Sequence, residues 1–357
     1  MAANTVQYGF LRLADVFAHR VSDVGIGEVN AAIDLTLQEH NRQMAALLGL
    51  FADVTTDYKA RYKTPAMHRL QPLDENGRSR PVMPLASYDV AYPIQMAGSA
   101  WGANYVASQK MTVGEANAIL ASMLMADRRW MRDHILAALF TNAAWTFTDP
   151  ERGSLTIKGL ANSDTDTYAA TSGGDSTVTD THFLATANAI DNTNDPFQTI
   201  YDELTEHPEN GGEVVVLIPS GLKTSVENLA AFYPTPDANL RMGVASTTVA
   251  GSLGVQVPGP VLGYHESKVW IVQWNSLPAN YMIAVATEGP RPLAMRQEPE
   301  PVLQGFNRVA ERNDFPFFES QYLRIAGFGA QNRVGALVHR FGNGAYGIPT
   351  GYTSPMS

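Results

Sequence analysis

TVGEANAILASMLMADRRWMRDHILAALFTN, residues 112–142, is the longest helical signal in the chain. Thr112 and Glu115 stand in capping-box spacing, in which the threonine oxygen takes the glutamate amide and the glutamate carboxylate reaches back. Apolar residues then recur at Ala116, Ile119, Leu120, Met123, Leu124, Met131, Ile135, Leu136, Leu139 and Phe140, interrupted only by Asp127, Arg128 and Arg129. At 1.5 Å per residue such a helix is roughly 45 Å long, more than the width of a small domain. A rod of that length is a coiled-coil arm, an ordinary long core helix of an enzyme, or a spine against which a sheet is laid. The heptads are not sustained, which favours the spine.

Before this helix the chain changes character twice. Residues 1–25 hold scattered apolar positions, and Gly27 to Phe51 is expected to be helical, with Val29, Ile33, Leu37, Met44, Leu47, Leu48 and Phe51 near one face. Gly25 and Gly27 precede it, but without a buried strand or a further glycine they make no nucleotide loop. From Tyr58 to Gln109 the chain is expected to be extended, because Pro65, Pro72, Pro81, Pro84 and Pro93 forbid a long helix. Asn76-Gly77 marks a hairpin tip between strands at roughly 60–73 and 80–92, since both residues accept positive φ. A two-stranded ribbon carrying Met67, Leu70, Val82, Met83 and Leu85 cannot bury itself, so it must lie on its own subunit or on a neighbour.

After the helix, Thr146 to Asp180 is rich in Thr, Ser, Gly and Asp and is expected to be a surface excursion. Asp164, Asp166 and Asp175 do not have the spacing of a calcium loop and are read as solvated acids. From Thr181 the pattern is α/β. Helices are expected at 181–191 and, capped by Asp195 with Pro196 in the first turn, to about Glu206. Glu213–Ile218, apolar from Val214 onward, is expected to be a buried strand. Ser220 is positioned to cap a helix ending by Phe232, and 234–263 is loop with one strand. Strands follow at Val269–Trp274, Tyr281–Ala286, Leu293–Gln297, Tyr322–Phe328 and Arg333–Arg340, the last two around a turn at 330–332.

Composition bounds the function. The 357 residues are 45% hydrophobic and 17% charged, which is globular and allows one large core or two to three smaller ones. There is no cysteine, hence no disulfide, thiolate metal site or cysteine nucleophile. No basic leader followed by an apolar run opens the chain, and no stretch of about 18 apolar residues occurs, so the expectation is a soluble, non-secreted protein with no membrane partner. A net charge of −10 argues against a general nucleic-acid binder. Residues 1–110 carry 10 basic and 10 acidic residues, against 15 and 25 in the remainder. Lys59, Arg61, Lys63, Arg69, Arg78 and Arg80 cluster in the neutral part, so a basic projection of one copy could meet an acidic body on another; the plainer reading is a solvated charge cluster.

No catalytic constellation is present. The eight histidines, at 19, 40, 68, 134, 182, 207, 265 and 339, are scattered singly, and His265-Glu266 lacks the second histidine of a zinc-protease helix. Ser220 sits between a strand and a helix, where a hydrolase nucleophile lies, but Ile-Pro-Ser-Gly-Leu lacks the first glycine of that motif. Gly221–Thr224 has no glycine-rich loop before it, so no phosphate loop is formed. No cofactor, metal site or enzymatic activity is expected.

The order of parts, with Gly212-Glu-Val-Val-Val-Leu-Ile-Pro-Ser220 after two helices and Glu319-Ser-Gln-Tyr-Leu-Arg-Ile-Ala-Gly-Phe-Gly-Ala-Gln-Asn-Arg-Val-Gly-Ala-Leu-Val338 near the end, resembles the major capsid protein of tailed bacteriophages. The resemblance implies an α+β Hong Kong 97-like fold. On that plan 1–57 is an N-terminal arm with a helix, 58–111 an extended hairpin loop, 112–180 the spine helix and peripheral domain, 181–289 an axial domain, and 290–357 the return strands and tail. It further implies self-assembly through hexamers and pentamers into an icosahedral shell around double-stranded DNA, inside a virion assembled in the host cytoplasm. Portal, scaffolding and decoration proteins would be its partners, a scaffold being separate because no long segment precedes the arm. Lys59, Arg61, Lys63, Arg69, Arg78, Arg80, Asn76 and Gly77 are the expected intersubunit contacts. Neither Lys59 nor Lys63 matches the lysine that some relatives cross-link to an asparagine, so no covalent step is expected. Two alternatives stand beside this reading: an encapsulin-like shell holding protein cargo, and a hydrolase-like enzyme using Ser220, which would need a histidine and an acid within hydrogen-bond reach.

Overall fold

In the computed structural model the spine helix runs from Val113 to Phe140 and begins with the expected capping box. The Thr112 amide donates to Glu115 Oε2 at 2.9 Å, and the Glu115 amide to Thr112 Oγ1 at 3.2 Å. The structure describes residues 17–64, 72–78, 86–170, 176–235, 242–243, 246–249, 256–266, 268–314 and 317–356. These fall into two compact units, one drawn from Met1–Met44, Gln95–Arg132 and Glu298–Ala326, the other from Ala45–Ile94, Asp133–Gln297 and Gly327–Ser357.

In the first unit two helices cover an antiparallel sheet. Strand Phe317–Ala330 pairs with Phe306–Asp314 on one side and with Gln95–Asn104 on the other. Val29, Ile33 and Leu37 from helix Ile26–Leu48 and Ala116, Leu120 and Met123 from the spine helix meet Trp101, Phe306 and Tyr322 from the sheet in one apolar cluster. The spacing of those helical positions, three and four apart, gives each helix one continuous apolar stripe. The sheet laid against the spine is therefore present here.

The second unit is built on a seven-stranded mixed sheet, in the order Phe232–Pro234, Val261–His265, Val269–Gln273, Val214–Ile218, Tyr281–Ala286, Ala336–Phe341 and Phe183–Thr186. Val214–Ile218 is buried at every position, as an uninterrupted apolar run demands, with a parallel neighbour on one side and an antiparallel one on the other. Helix Phe197–Thr205 packs Phe197, Ile200 and Leu204 onto this sheet. Its N-terminus is fixed by Asp195, whose Oδ1 accepts the Phe197 amide at 3.0 Å while Oδ2 lies 2.9 Å from His265 Nε2. A second, smaller ladder sets Leu293–Arg296 between Ala52–Thr55 and residues 327–330 of the long strand.

Several expectations are corrected. Residues 181–191 form no helix: Phe183–Thr186 is an edge strand parallel to Val338–Phe341, because the sheet offers a ladder whereas a short isolated helix is marginal. The polar strand Phe306–Asp314 and the short helix Tyr105–Lys110 were not foreseen, the latter lying within the stretch expected to be extended to Gln109. The described part of 146–180 is not wholly a surface excursion, for Leu160, Ala161, Tyr168, Ala169 and Ala170 are fully or almost fully buried. Ser220 caps nothing. Pro219 occupies the N-cap position, which places exposed Ser220 inside a 3-10 turn followed only by helix Lys223–Glu227, and Phe232 begins a strand instead of ending that helix. Ser220→Ala should accordingly change unfolding free energy by less than about 0.5 kcal/mol in a urea titration.

Candidate functional site

The hairpin is seen at its base and at its tip. Lys59–Thr64 pairs antiparallel with Ala86–Ala91, so that Arg61 faces Asp89 and Tyr62 faces Tyr88. The ladder alternates: the tyrosines are on one side and the charges on the other, as strand pleating requires. Arg61 Nε lies 3.0 Å and Lys59 Nζ 3.5 Å from Asp89, both pairs solvent-exposed and so of small energetic weight. At the tip the Gly77 amide donates to Asp74 O, the Asp74 amide to Arg78 O, and Asp74 Oδ1 takes the amides of Asn76 and Arg78. Gly77 alone has positive φ, at +72, so this is a turn completed by a left-handed glycine and not the two-residue turn with both residues left-handed that Asn-Gly suggested.

Of the expected contact residues, the structure brings Lys59 and Arg61 together around Asp89, leaves Lys63, Asn76, Gly77 and Arg78 exposed, and does not join the two groups. Arg69 and Arg80 lie outside the described residues, as do Met67, Leu70, Val82, Met83, Leu85 and Asp175.

The tyrosine side of the hairpin is anchored. Tyr62 stacks on Tyr88 at 5.1 Å, and Tyr88 meets the edge of Tyr168 at 5.5 Å. The Tyr62 hydroxyl donates to Glu209 Oε2 at 2.8 Å; burial pushes the Glu209 carboxyl above the usual carboxylate range despite that bond, and burial also raises the Tyr62 phenol. The Tyr88 hydroxyl donates to Gln331 O and accepts the Arg333 amide.

Arg333 is the centre of this region, 1% exposed. Its guanidinium lies 5.9 Å from the ring centroids of both Tyr88 and Tyr168, and donates to Gly159 O, Leu160 O and Asn162 Oδ1. It pairs with Asp164 at 2.8 Å and with Asp166, which also takes Lys158. Asp164 and Asp166, read as solvated acids, are thus partners of a buried arginine. Two residues of the Gly-Phe-Gly motif nearby have a steric reason: a Cβ at Gly327 or Gly329 would collide with the carbonyl oxygens of Pro93 and Ala91, where the chain leaves the hairpin.

In the first unit the charge that interrupts the spine helix turns inward. Asp127 is 5% exposed and accepts both Nε and Nη2 of Arg324 at 2.6 Å, as well as His40 Nε2–H at 2.7 Å. Burial alone would raise the Asp127 carboxyl, but the His40 and Arg324 hydrogen bonds hold it below its ordinary value. Leu120, Met123, Asp127 and Met131 share one helical face, so the signal available in sequence was an acid at an apolar position.

Two further histidine sites were invisible as single residues. His182 and His207, 25 positions apart, converge on Asp180. His339 lies flat on Phe341 at 4.3 Å with no hydrogen-bond partner for either ring nitrogen among the described residues, and burial lowers its pKa to about 4. Between that value and its ordinary 6.5 the folded form binds fewer protons than the unfolded chain, so stability held above pH 6.5 is lost as pH falls toward 4. The loss attributable to His339 is about 3 kcal/mol, and His339→Leu should remove it in urea titrations compared at pH 7 and pH 4.

No hydrolase site is assembled at Ser220: among the described residues no histidine or carboxylate hydrogen-bonds its hydroxyl. No helix among them is long and apolar enough to cross a membrane. A solved structure from Mycobacterium phage Patience superposes on the chain with a TM-score of 0.66, covering 100% of this chain and 99% of that one at 18% identity. The two chains share one fold. This agrees with the α+β, Hong Kong 97-like fold expected from the sequence. Fainter likenesses, with TM-scores of 0.45 and 0.47, join the chain to the capsid of a native GTA particle (13% identity, 83% of this chain and 90% of that one) and to the mature capsid of bacteriophage PhiM1 (10% identity, 83% and 86%). The sequence matches no protein-family model and no curated protein.

Proposed function

We propose that the chain is the major capsid protein of a tailed phage, a structural subunit that assembles through hexamers and pentamers into an icosahedral shell around double-stranded DNA. The observation that carries this is the fold shared with a phage structure over the whole of both chains. The molecule's own surface supports it. Leu35, Met96, Val106, Met125 and Val302 of the first unit are each more than 60% exposed, and large apolar side chains left open on a subunit are what a shell of neighbours would cover. The exposed side of the hairpin base carries Lys59, Arg61 and Lys63, while residues 111–357 carry the acidic excess. Contact with DNA would be non-specific, and portal, scaffolding and decoration proteins would join the same particle. The role is structural, without a catalytic step. Light scattering of the purified protein at moderate salt tests this: particles of megadalton mass are expected, and a monodisperse monomer under every salt and pH condition would overturn it.

A further inference from the structure

We infer that Asp180, His182 and His207 form a site for one divalent transition-metal ion of the zinc class, buried within the second unit. Both imidazole side chains are fully inaccessible to solvent. His182 Nδ1 lies 2.8 Å from Ala336 O, and His207 Nδ1 lies 2.9 Å from Ala169 O. A carbonyl oxygen can only accept, so each ring must carry its proton on Nδ1. In the neutral tautomer this leaves both Nε2 lone pairs turned inward. The two Nε2 atoms are 3.3 Å apart, and they lie 2.7 and 3.0 Å from the same oxygen, Asp180 Oδ2. In that neutral state three acceptors face one another, an arrangement that an electron-pair acceptor at their centre would resolve.

The spacing suits such an ion. With metal–ligand bonds near 2.0–2.1 Å, neighbouring ligand atoms of a tetrahedral site lie about 3.3 Å apart, so the two nitrogens already have the separation and the aspartate oxygen needs to withdraw only slightly. Glu206 Oε1 lies 3.5 Å from His207 Nε2 at the border of this trio. Glu203 places a further carboxylate beside those of Asp180 and Glu206, with ligand atoms within 4.8 Å of one another. Glu203 and Glu206 are at the C-terminal end of helix Phe197–Thr205, the end that favours a cation. Two imidazoles among the donors select a zinc-class ion over calcium or magnesium. The carbonyl bonds to Nδ1 are the outer contacts that orient histidine ligands at metal centres.

The burial of both histidines makes this a structural clamp, not a reactive centre. It would tie the lead-in to edge strand Phe183–Thr186 to the end of the helix, and through the two carbonyls to Tyr168–Ala170 and Ala336–Phe341. The competing occupant of the same space is a proton, which would convert one histidine to imidazolium.

The test uses the full chain, stripped with a chelator, dialysed, and titrated with Co²⁺ and then Zn²⁺ at pH 7.5. One Co²⁺ per chain with the visible absorption of a tetrahedral ion is expected, displaced by Zn²⁺, with a melting temperature that rises on metal addition. Asp180→Asn, isosteric with the native side chain, should leave the metal-free fold intact and weaken Co²⁺ binding at least tenfold, roughly the loss seen when even outer contacts of a metal site are removed. His207→Gln should abolish the spectrum. Absence of both the spectrum and the melting shift in the unaltered protein would assign the cluster to a proton, and a spectrum of unchanged strength in both variants would place the ion elsewhere; either result overturns the inference.

Discussion

Arg333→Ala is expected to destabilise the second unit by about 3–5 kcal/mol, the range for removing one partner of a buried ion pair and enough to unfold a domain of ordinary stability. The magnitude follows from what is left behind. Asp166 would keep Lys158, but Asp164 would lose its arginine in a region where Leu160, Ala161 and Tyr168 are fully buried. The carbonyls of Gly159 and Leu160 would lose their donors, and the two tyrosine rings the cation between them. Arg333→Lys should recover little, since an ammonium cannot reproduce a planar fork that serves two carboxylates and two carbonyls. Chemical denaturation of the dissociated subunit measures this, and a loss below 1 kcal/mol for Arg333→Ala would show that the guanidinium does not hold these segments together.

Replacing residues 70–83 by a short Gly-Ser linker is expected to abolish shell formation while leaving the subunit folded. The base of the hairpin would remain, because Tyr62 and Tyr88 are held by each other, by Glu209 and by the Arg333 turn, none of which belongs to the replaced stretch. What would vanish is the turn at Asp74–Arg78. Far-ultraviolet circular dichroism and the denaturation midpoint should stay close to those of the unaltered subunit, and sedimentation should show only small species. Shells of normal size from this variant would exclude the hairpin as an intersubunit element.

The pattern of what the sequence disclosed follows from how locally each element is specified. The spine helix carries its own start signal in Thr112 and Glu115, and Val214–Ile218 is apolar at every position, so neither needs a distant partner to be read. Phe183–Thr186 shows the opposite case. Its helical spacing is genuine, yet the strand exists because Ala336–Phe341 presents an open edge more than 150 residues later in the chain. The polar strand Phe306–Asp314 is likewise decided by its partner Phe317–Ala330. Charges were misread for the same reason: Asp164 and Asp166 look solvated until Arg333 arrives from the far end of the chain, and Asp127 looks like a break in an apolar face until Arg324 does. Single histidines carry no spacing signal at all, so the meeting of His182 and His207 at Asp180 could only be seen in three dimensions.

Electron cryomicroscopy of the purified protein tests directly whether this chain closes into a shell. Closed particles with five- and six-fold clusters of one subunit are expected, in which density for the tip at Asp74–Arg78 lies against a neighbouring copy. Fields containing only isolated subunits, or particles in which each tip rests on its own subunit alone, would contradict it.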